Sequence, residues 1–245
     1  MLLDAAVRRE RSGRPGPSVS RLAELTGIEG SRVSRLAQEM LEMGLLEKSA
    51  DGRLRVGPSY FALGASRQDA WVRRARHDLR RLASHYRASA RVLAPDGPRA
   101  ALLRFEVGRG APESATHPGM VTPIWCTGGG RALLWGADES EIRELLAESR
   151  FIGVGGPNAA RSAEDVARRV AADHERGVVE ADEEFEYGVV EIASPVFADE
   201  RVVGAVSAAC HSGDAETRAE LRREVVSVAS DLGKIASTVR TTPEQ

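Results

Sequence analysis

SVSRLAELTGIEGSRVSRLAQEMLEMG, residues 18–44, decides how this chain is read. Ser18 suits an N-cap, because a serine oxygen there accepts a hydrogen bond from a helical N–H that otherwise lacks a partner. Val19, Leu22, Ala23 and Leu25 then share one face, and Gly27 fits the C′ position, where the backbone turns left-handed. Ile28 leads into a longer helix on which Val33, Leu36, Ala37, Met40 and Leu41 recur at the spacing of a helix with one buried side. The opposite side is polar. A short helix, an apolar turn and a second helix with a polar outer face make a helix-turn-helix, whose second helix enters the major groove by its N-terminal end. Ser31, Arg32, Ser34, Arg35 and Gln38 lie off the apolar stripe and are the candidate readers. Arginine pairs bidentately with guanine and glutamine with adenine, while serines serve bases or phosphates.

Working outward, Leu2 to Arg11 reads as a helix stopped by the loop SGRPGP, residues 12–17. Downstream of Gly44, Leu45 and Leu46 precede a turn over 49–52, and residues 53–56 alternate polar and apolar, the signature of a small hairpin. The first domain, residues 1–66, is therefore expected to be a winged helix-turn-helix. Ser18 and Ser20, and Arg53 and Arg55 on the wing, are placed for phosphates, and Arg14 for a minor groove. After the connector Gly57–Ser66, Trp71 or Val72, Ala75, Leu79, Leu82 and Tyr86 face one way on a helix; residues 67–88 read as a linker helix.

From residue 89 to residue 245 the pattern is α+β. Short β-like runs at Ala90–Ala94, Ala100–Val107, Val178–Asp182, Gly188–Phe197 and Val202–Ala209 alternate with helices at 129–136, 138–148, 162–176 and 214–240. Asp138 with Glu141, and Ser162 with Asp165, suit helix starts, and Gly177 suits a stop. The last helix repeats Leu221, Val225, Val228, Leu232, Ile235 and Val239, a seam expected to pack on a sheet.

The formal net charge of −2 hides an asymmetry. Residues 1–68 carry 11 Arg and Lys against 8 Asp and Glu, and the rest 23 against 28. Arginine supplies 32 of the 34 bases, a bias attributed to genome composition. Two distant cysteines, Cys126 and Cys210, no signal-peptide pattern and no apolar run of membrane-spanning length favour a cytoplasmic protein with free thiols and no membrane partner.

The sequence resembles the IclR-type transcriptional regulators. The likeness runs from residues 18–27, 31–36 and 42–45 into PIWCTGGGRALL (123–134), Arg176 with Gly177, DEEFEYG (182–188) and IASPVF (192–197), nearly the whole chain. It implies a GAF-like or profilin-like C-terminal domain with a curved antiparallel sheet flanked by helices. It also implies a homodimer or dimer of dimers on a double-stranded DNA operator, and a small organic effector. Amides at positions matching Gly128 and Gly129 hold that effector in the family. The polar position before Ile192 is Glu191 here, the acidic position upstream falls at Ala181 or Asp182, and of two small polar positions on the next strand Ser207 survives while the other is Ala209. Glu191 would repel a carboxylate ligand, which points instead to one that offers a hydroxyl, an amine or another donor. Met120, Val121, Trp125 and Val189 are candidate apolar wall.

From the residues alone, Thr127–Gly130 is either an anion-attracting helix start or a flexible turn, and it is no Walker loop. His77, His85, His117, His174 and His211 are scattered, and neither they nor the cysteines match a zinc spacing, so no metal or other cofactor is expected. The acidic run Glu180 to Glu186 reads as a solvated turn between strands. No nucleophile–base pair or cofactor loop supports an enzyme. A DNA-binding protein whose second domain only dimerises is the competing reading.

Overall fold

The computed structural model describes residues 2–11, 15–60, 70–113 and 119–240. The chain divides into two compact units, Met1–Ser66 and Arg67–Gln245. In the first, α1 (Leu2–Arg11), α2 (Val19–Thr26) and α3 (Gly30–Glu42) precede a hairpin of β1 (Leu46–Lys48) and β2 (Leu54–Val56). The signals at the ends of α2 act as the sequence indicates: the Ser18 hydroxyl accepts from the Arg21 N–H at 3.1 Å, and Gly27 is left-handed with its N–H bonded to the Ala23 carbonyl. Leu2, Ala6, Leu22, Val33, Ala37, Leu46 and Leu54 form one core, in which Val33 and Ala37 of the α3 stripe are buried and Leu36, Met40 and Leu41 partly so. The Leu54 N–H donates to the Pro17 carbonyl at 2.9 Å, which ties the hairpin to the loop before α2.

The second unit is built on a six-stranded antiparallel sheet in the order β5 (Val121–Pro123), β4 (Arg99–Val107), β3 (Ser89–Asp96), β8 (Arg201–His211), β7 (Val189–Ala198), β6 (Val179–Asp182). Both faces of its central strands are covered, so β7 and β8 read as continuous apolar runs rather than alternating ones. On one face α4 (Ala70–Tyr86) and α8 (Ala215–Arg240) bury Trp71, Leu79, Leu82, Leu221, Val225 and Leu232 against Val92, Ile192, Val206 and Ala208. The helix that reads as a linker is thus part of this core. On the other face lie α5 (Gly128–Leu133), α6 (Glu139–Leu146) and α7 (Ala163–Arg176), over Leu93, Ala193 and Ala205. A capping box of Asp138 and Glu141 opens α6, and Ser162 and left-handed Gly177 bound α7. Two details depart from the sequence reading. The helix of the glycine triplet spans only 128–133 instead of 129–136, and β5 was not foreseen, since three residues ending in proline carry no alternation.

Leu232 is fully buried between α8 and the sheet, whereas Val226 on the same helix is 38% exposed. Leu232→Ala is expected to lower unfolding free energy by about 2–5 kcal/mol. Val226→Ala should cost less than about 0.5 kcal/mol. Urea unfolding of both variants checks the contrast, and equal losses would mean that α8 does not pack by this seam.

Candidate functional site

The reading helix presents its polar side as the spacing requires. Ser31, Arg32, Ser34, Arg35 and Gln38 are exposed on α3, above buried Val33 and Ala37, and Ser18, Ser20, Arg53 and Arg55 are exposed too. Several of these are already engaged within the unit: Ser18 caps α2, Gln38 donates to Glu42 at 3.2 Å, and Arg53 pairs with Asp51 at 3.2 Å. The cap of α3 is one the sequence did not announce. Glu29 accepts from the Ser31 N–H at 3.0 Å and from the Ser31 hydroxyl, and these bonds hold its carboxyl below the ordinary carboxylate value. An anion at a helix start is favoured by the dipole, so one negative charge stands just ahead of Arg32. Arg14 lies outside the described residues.

The second cluster is assembled by strand register. Pairing aligns Ala181, Glu191, Ala209 and Ser89 in one row across β6, β7, β8 and β3, and Ala193, Ser207, Arg91 and Phe105 in the next row on the same face. Helix α5 lies against these rows. A Cβ built on Gly128 would sit 2.9 Å from the Glu191 carbonyl, and one on Gly129 would sit 2.5 Å from Leu93 and 3.3 Å from the Ser207 hydroxyl. The glycines therefore serve close approach of helix to sheet, a role outside the two weighed from sequence. Glu191 is buried and accepts from the Gly128 N–H at 2.7 Å, while its other oxygen is 3.4 Å from the Arg91 guanidinium. Arg91 in turn approaches the Ser89 hydroxyl at 3.3 Å and lies over the Phe105 ring at 5.6 Å. The Ser207 hydroxyl, beside them, is buried and has no hydrogen-bond partner among the described residues. The gap between Val189, Glu191, Ala209 and Phe185 leaves about 10 Å³ for the centre of a water-sized sphere, roughly what one water needs.

Not every expected residue joins this cluster. Asp182 follows Ala181 on β6 and so points to the opposite face, where the Ser212 hydroxyl and Arg218 donate to it at 3.0 and 3.1 Å. Met120 and Val121 belong to the β5 edge, four strand positions from β7. Trp125 is buried against Phe151, with ring centroids 4.9 Å apart. Gly128, Gly129, Val189, Glu191, Ser207 and Ala209 do come together, and Arg91 joins them unforeseen.

A second buried charge fixes α5. Arg131 donates to Asp173 on α7 at 2.6 Å, to Glu184 at 2.6 Å and to the Glu180 carbonyl at 2.8 Å. Burial by itself would lower its pKa, but Glu184 and Asp173 outweigh that and raise it. The acidic run is accordingly not a solvated turn: Glu184 is buried on Arg131, and Glu180 is clamped by Arg218 and Arg222. Burial pushes the Cys126 thiol up to about 12 and the Cys210 thiol up to about 11, and both cysteines are free. Among the described residues no group of three or more His, Cys, Asp or Glu is placed to hold a metal ion. Nor is any helix there long and apolar enough to cross a membrane.

A helix-turn-helix with an exposed polar reading face, joined to a separate α+β unit, defines a DNA-binding transcriptional regulator rather than an enzyme. The chain belongs to the IclR family: residues 69–234 match the bacterial transcriptional regulator IclR C-terminal domain, and residues 11–50 match the IclR helix-turn-helix domain. It is 24% identical over 196 residues to the HTH-type transcriptional regulator KipR of Bacillus subtilis, covering 78% of this chain and 77% of KipR. Its fold matches that of an IclR-type regulator from Silicibacter sp. TM1040, with a TM-score of 0.71 at 20% identity over 96% of this chain and 95% of that one. It also matches an IclR homologue from Microbacterium hydrocarbonoxydans complexed with 4-hydroxybenzoate, with a TM-score of 0.65 at 20% identity over 96% and 99%. The second unit is thus a C-terminal domain of the effector-binding type.

Among the described residues, Arg131→Met leaves Asp173 with only Arg176, at 2.6 Å, and Glu184 with only Arg169, at 3.1 Å, and is expected to destabilise the fold by about 1–3 kcal/mol in urea unfolding. A loss below about 1 kcal/mol would show that the pair is solvated. Glu180 supplies a pH signature. Burial would raise its pKa, but Arg218 and Arg222 hold it below its unfolded value of 4.5. The stability it lends is present above that value and is lost as pH falls through the lowered one. Glu180→Gln should therefore flatten the acid limb of a stability–pH profile below about pH 4.5 while adding no slope near neutrality.

Proposed function

We propose that this regulator binds an operator as a homodimer or dimer of dimers, and that a small organic effector, which must widen the one-water gap under α5 to enter, alters operator affinity. The observation that carries the effector reading is the buried polar cluster at Gly128, Glu191 and Ser207, where a hydroxyl without a partner among the described residues adjoins an arginine–glutamate pair. A buried polar group without a hydrogen bond costs about 1–3 kcal/mol, and a ligand that supplies the missing partner recovers that loss. The family C-terminal domain, and the homologue complexed with 4-hydroxybenzoate, support the same reading.

Glu191 sets the chemistry of the ligand. Its carboxylate already lies on the Gly128 N–H and faces Arg91, so the two buried side chains form a neutral pair. A monoanion entering beside them would leave a buried charge uncompensated. A ligand without net charge that offers hydroxyl, amine or amide groups to Ser207 and Glu191 keeps the balance, with Val189 and Ala209 as apolar contacts. On DNA, Arg32 and Arg35 read bases, while Ser20, Arg53 and Arg55 hold phosphates. Effector binding changes operator affinity only to the extent that it favours one arrangement of subunits over another.

Glu191→Ala vacates the carboxylate position on Gly128 and Arg91. Acetate at millimolar concentration is expected to raise the Tm of this variant and to leave that of the wild type unmoved; stabilisation of both would mean that Glu191 does not occupy an anion position. A panel of neutral, hydroxylated and amino metabolites should contain a stabiliser of the wild type, worth about 2.7 kcal/mol at a hundred times its Kd. If that stabiliser leaves operator affinity unchanged, the second domain only dimerises. For DNA, the double variant Arg32→Ala/Arg35→Ala should keep its circular dichroism and no longer retain promoter fragments sequence-selectively, at about 1–3 kcal/mol for each bidentate arginine–base pairing it abolishes.

A further inference from the structure

Charge in the second unit is segregated to one helix. Residues 70–87 carry six arginines (Arg73, Arg74, Arg76, Arg80, Arg81, Arg87) against Asp78 alone, a net of +5, while residues 88–245 carry 17 Arg and Lys against 26 Asp and Glu, a net of −9. The apolar stripe of α4 faces the sheet and α8, and every exposed position of the segment is arginine, histidine or serine: Arg73, Arg74, Arg76, His77, Arg80, Arg81, Ser84, His85 and Arg87. Core packing explains the buried stripe but gives no reason for the outer face to exclude acids.

Neighbouring carboxylates do not cancel this ridge. Arg76 and Arg80 share Glu106 at 3.7 and 3.2 Å, Arg81 reaches Glu224 at 2.7 Å, and Arg74 reaches Asp78 at 3.5 Å. Counting Glu106 and Glu224, together with Asp231 near Arg74 and Asp214 near Arg87, leaves the segment a net of +1. The side chains of Arg74, Arg76, Arg80 and Arg81 remain 47–58% exposed. Exposed pairs of this kind are worth little, and a guanidinium with five donors can serve a carboxylate and a phosphate together. The partner that fits is a polyanion. A symmetry-related copy of the same face would set arginine against arginine, whereas duplex DNA is already the partner of the unit that ends at Ser66, just before this helix begins.

We propose that the exposed face of α4, through Arg73, Arg76 and Arg80, contacts the phosphate backbone of duplex DNA. These three side chains form one stripe, eight residues and about 10 Å long. They carry no sequence information; they add affinity, and they bring the acidic domain to the duplex by this basic ridge.

The test uses the full chain and a labelled random-sequence duplex of about three helical turns, titrated by fluorescence anisotropy between about 50 and 200 mM salt. In the triple variant Arg73→Gln/Arg76→Gln/Arg80→Gln, the slope of log affinity against log salt should become shallower by about 2.7, or 0.9 for each phosphate no longer neutralised. The triple change to lysine should keep the wild-type slope, because the charge stays. Glu106→Gln, which frees Arg76 and Arg80 from their carboxylate, should tighten binding, an effect opposite in sign to any general loss of fold. An unchanged slope in the glutamine variant at an unchanged Tm overturns the proposal. So does an unchanged slope with altered sedimentation, which would assign the ridge to self-association. Should the glutamine variant unfold, looser binding by Glu106→Gln, or a shallower slope in the lysine variant, overturns it equally.

Discussion

A guanidinium almost cut off from water holds the second unit in the form that matters. Arg131 rises from α5 among Asp173, Glu184 and the Glu180 carbonyl, so one cation ties a helix, a second helix and the β6–β7 connection together. Desolvating such a charge costs several kcal/mol, and only complete hydrogen bonding offsets that. The requirement is geometric: the three acceptors must surround one planar fork, which leaves α5 little freedom to slide. Gly128 and Gly129 then let the helix lie where any side chain would collide with Glu191 and Leu93. The position of α5 in turn places the Gly128 N–H against the Glu191 carboxylate.

Local order was legible in the sequence. Ser18 with Gly27, Asp138 with Glu141, and Ser162 with Gly177 mark helix ends because capping is settled within four residues. Five of the six strands of the large sheet were found, with ends displaced by one or two residues; β8, for example, extends to His211 rather than Ala209. The apolar repeat of α8 pointed correctly to the sheet. What escaped notice was long-range and polar. Arg91 meets Glu191 across 100 residues and Arg131 meets Glu184 across 53, and no periodicity records such meetings. An arginine-rich composition hid them further, since two buried cations looked like any other pair among thirty-odd. Register resolved one alternative that sequence left open: with Ala181 opposite Glu191, Asp182 must face the other way.

The first unit distributes its polar groups in a way that sequence could not apportion. Ser18, Gln38 and Arg53 have partners inside the unit, and Glu29 engages the hydroxyl and amide of Ser31. The carboxylate of Glu29 stabilises the start of α3 and also repels a phosphate brought to that end of the helix. An approach that aims Arg32 and Arg35 at base edges avoids this repulsion. The same residue thereby gives the helix its beginning and disfavours a backbone-only mode of docking.

The two cysteines bear on how the protein can be handled. Each thiol is buried and stays protonated at neutral pH, and it is the thiolate that attacks electrophiles. Maleimide dyes and spin labels should therefore pass over the native chain and react with a cysteine introduced on the outside. Distances between paired labels, and their change on operator or metabolite addition, become measurable without first stripping Cys126 and Cys210 from the interior.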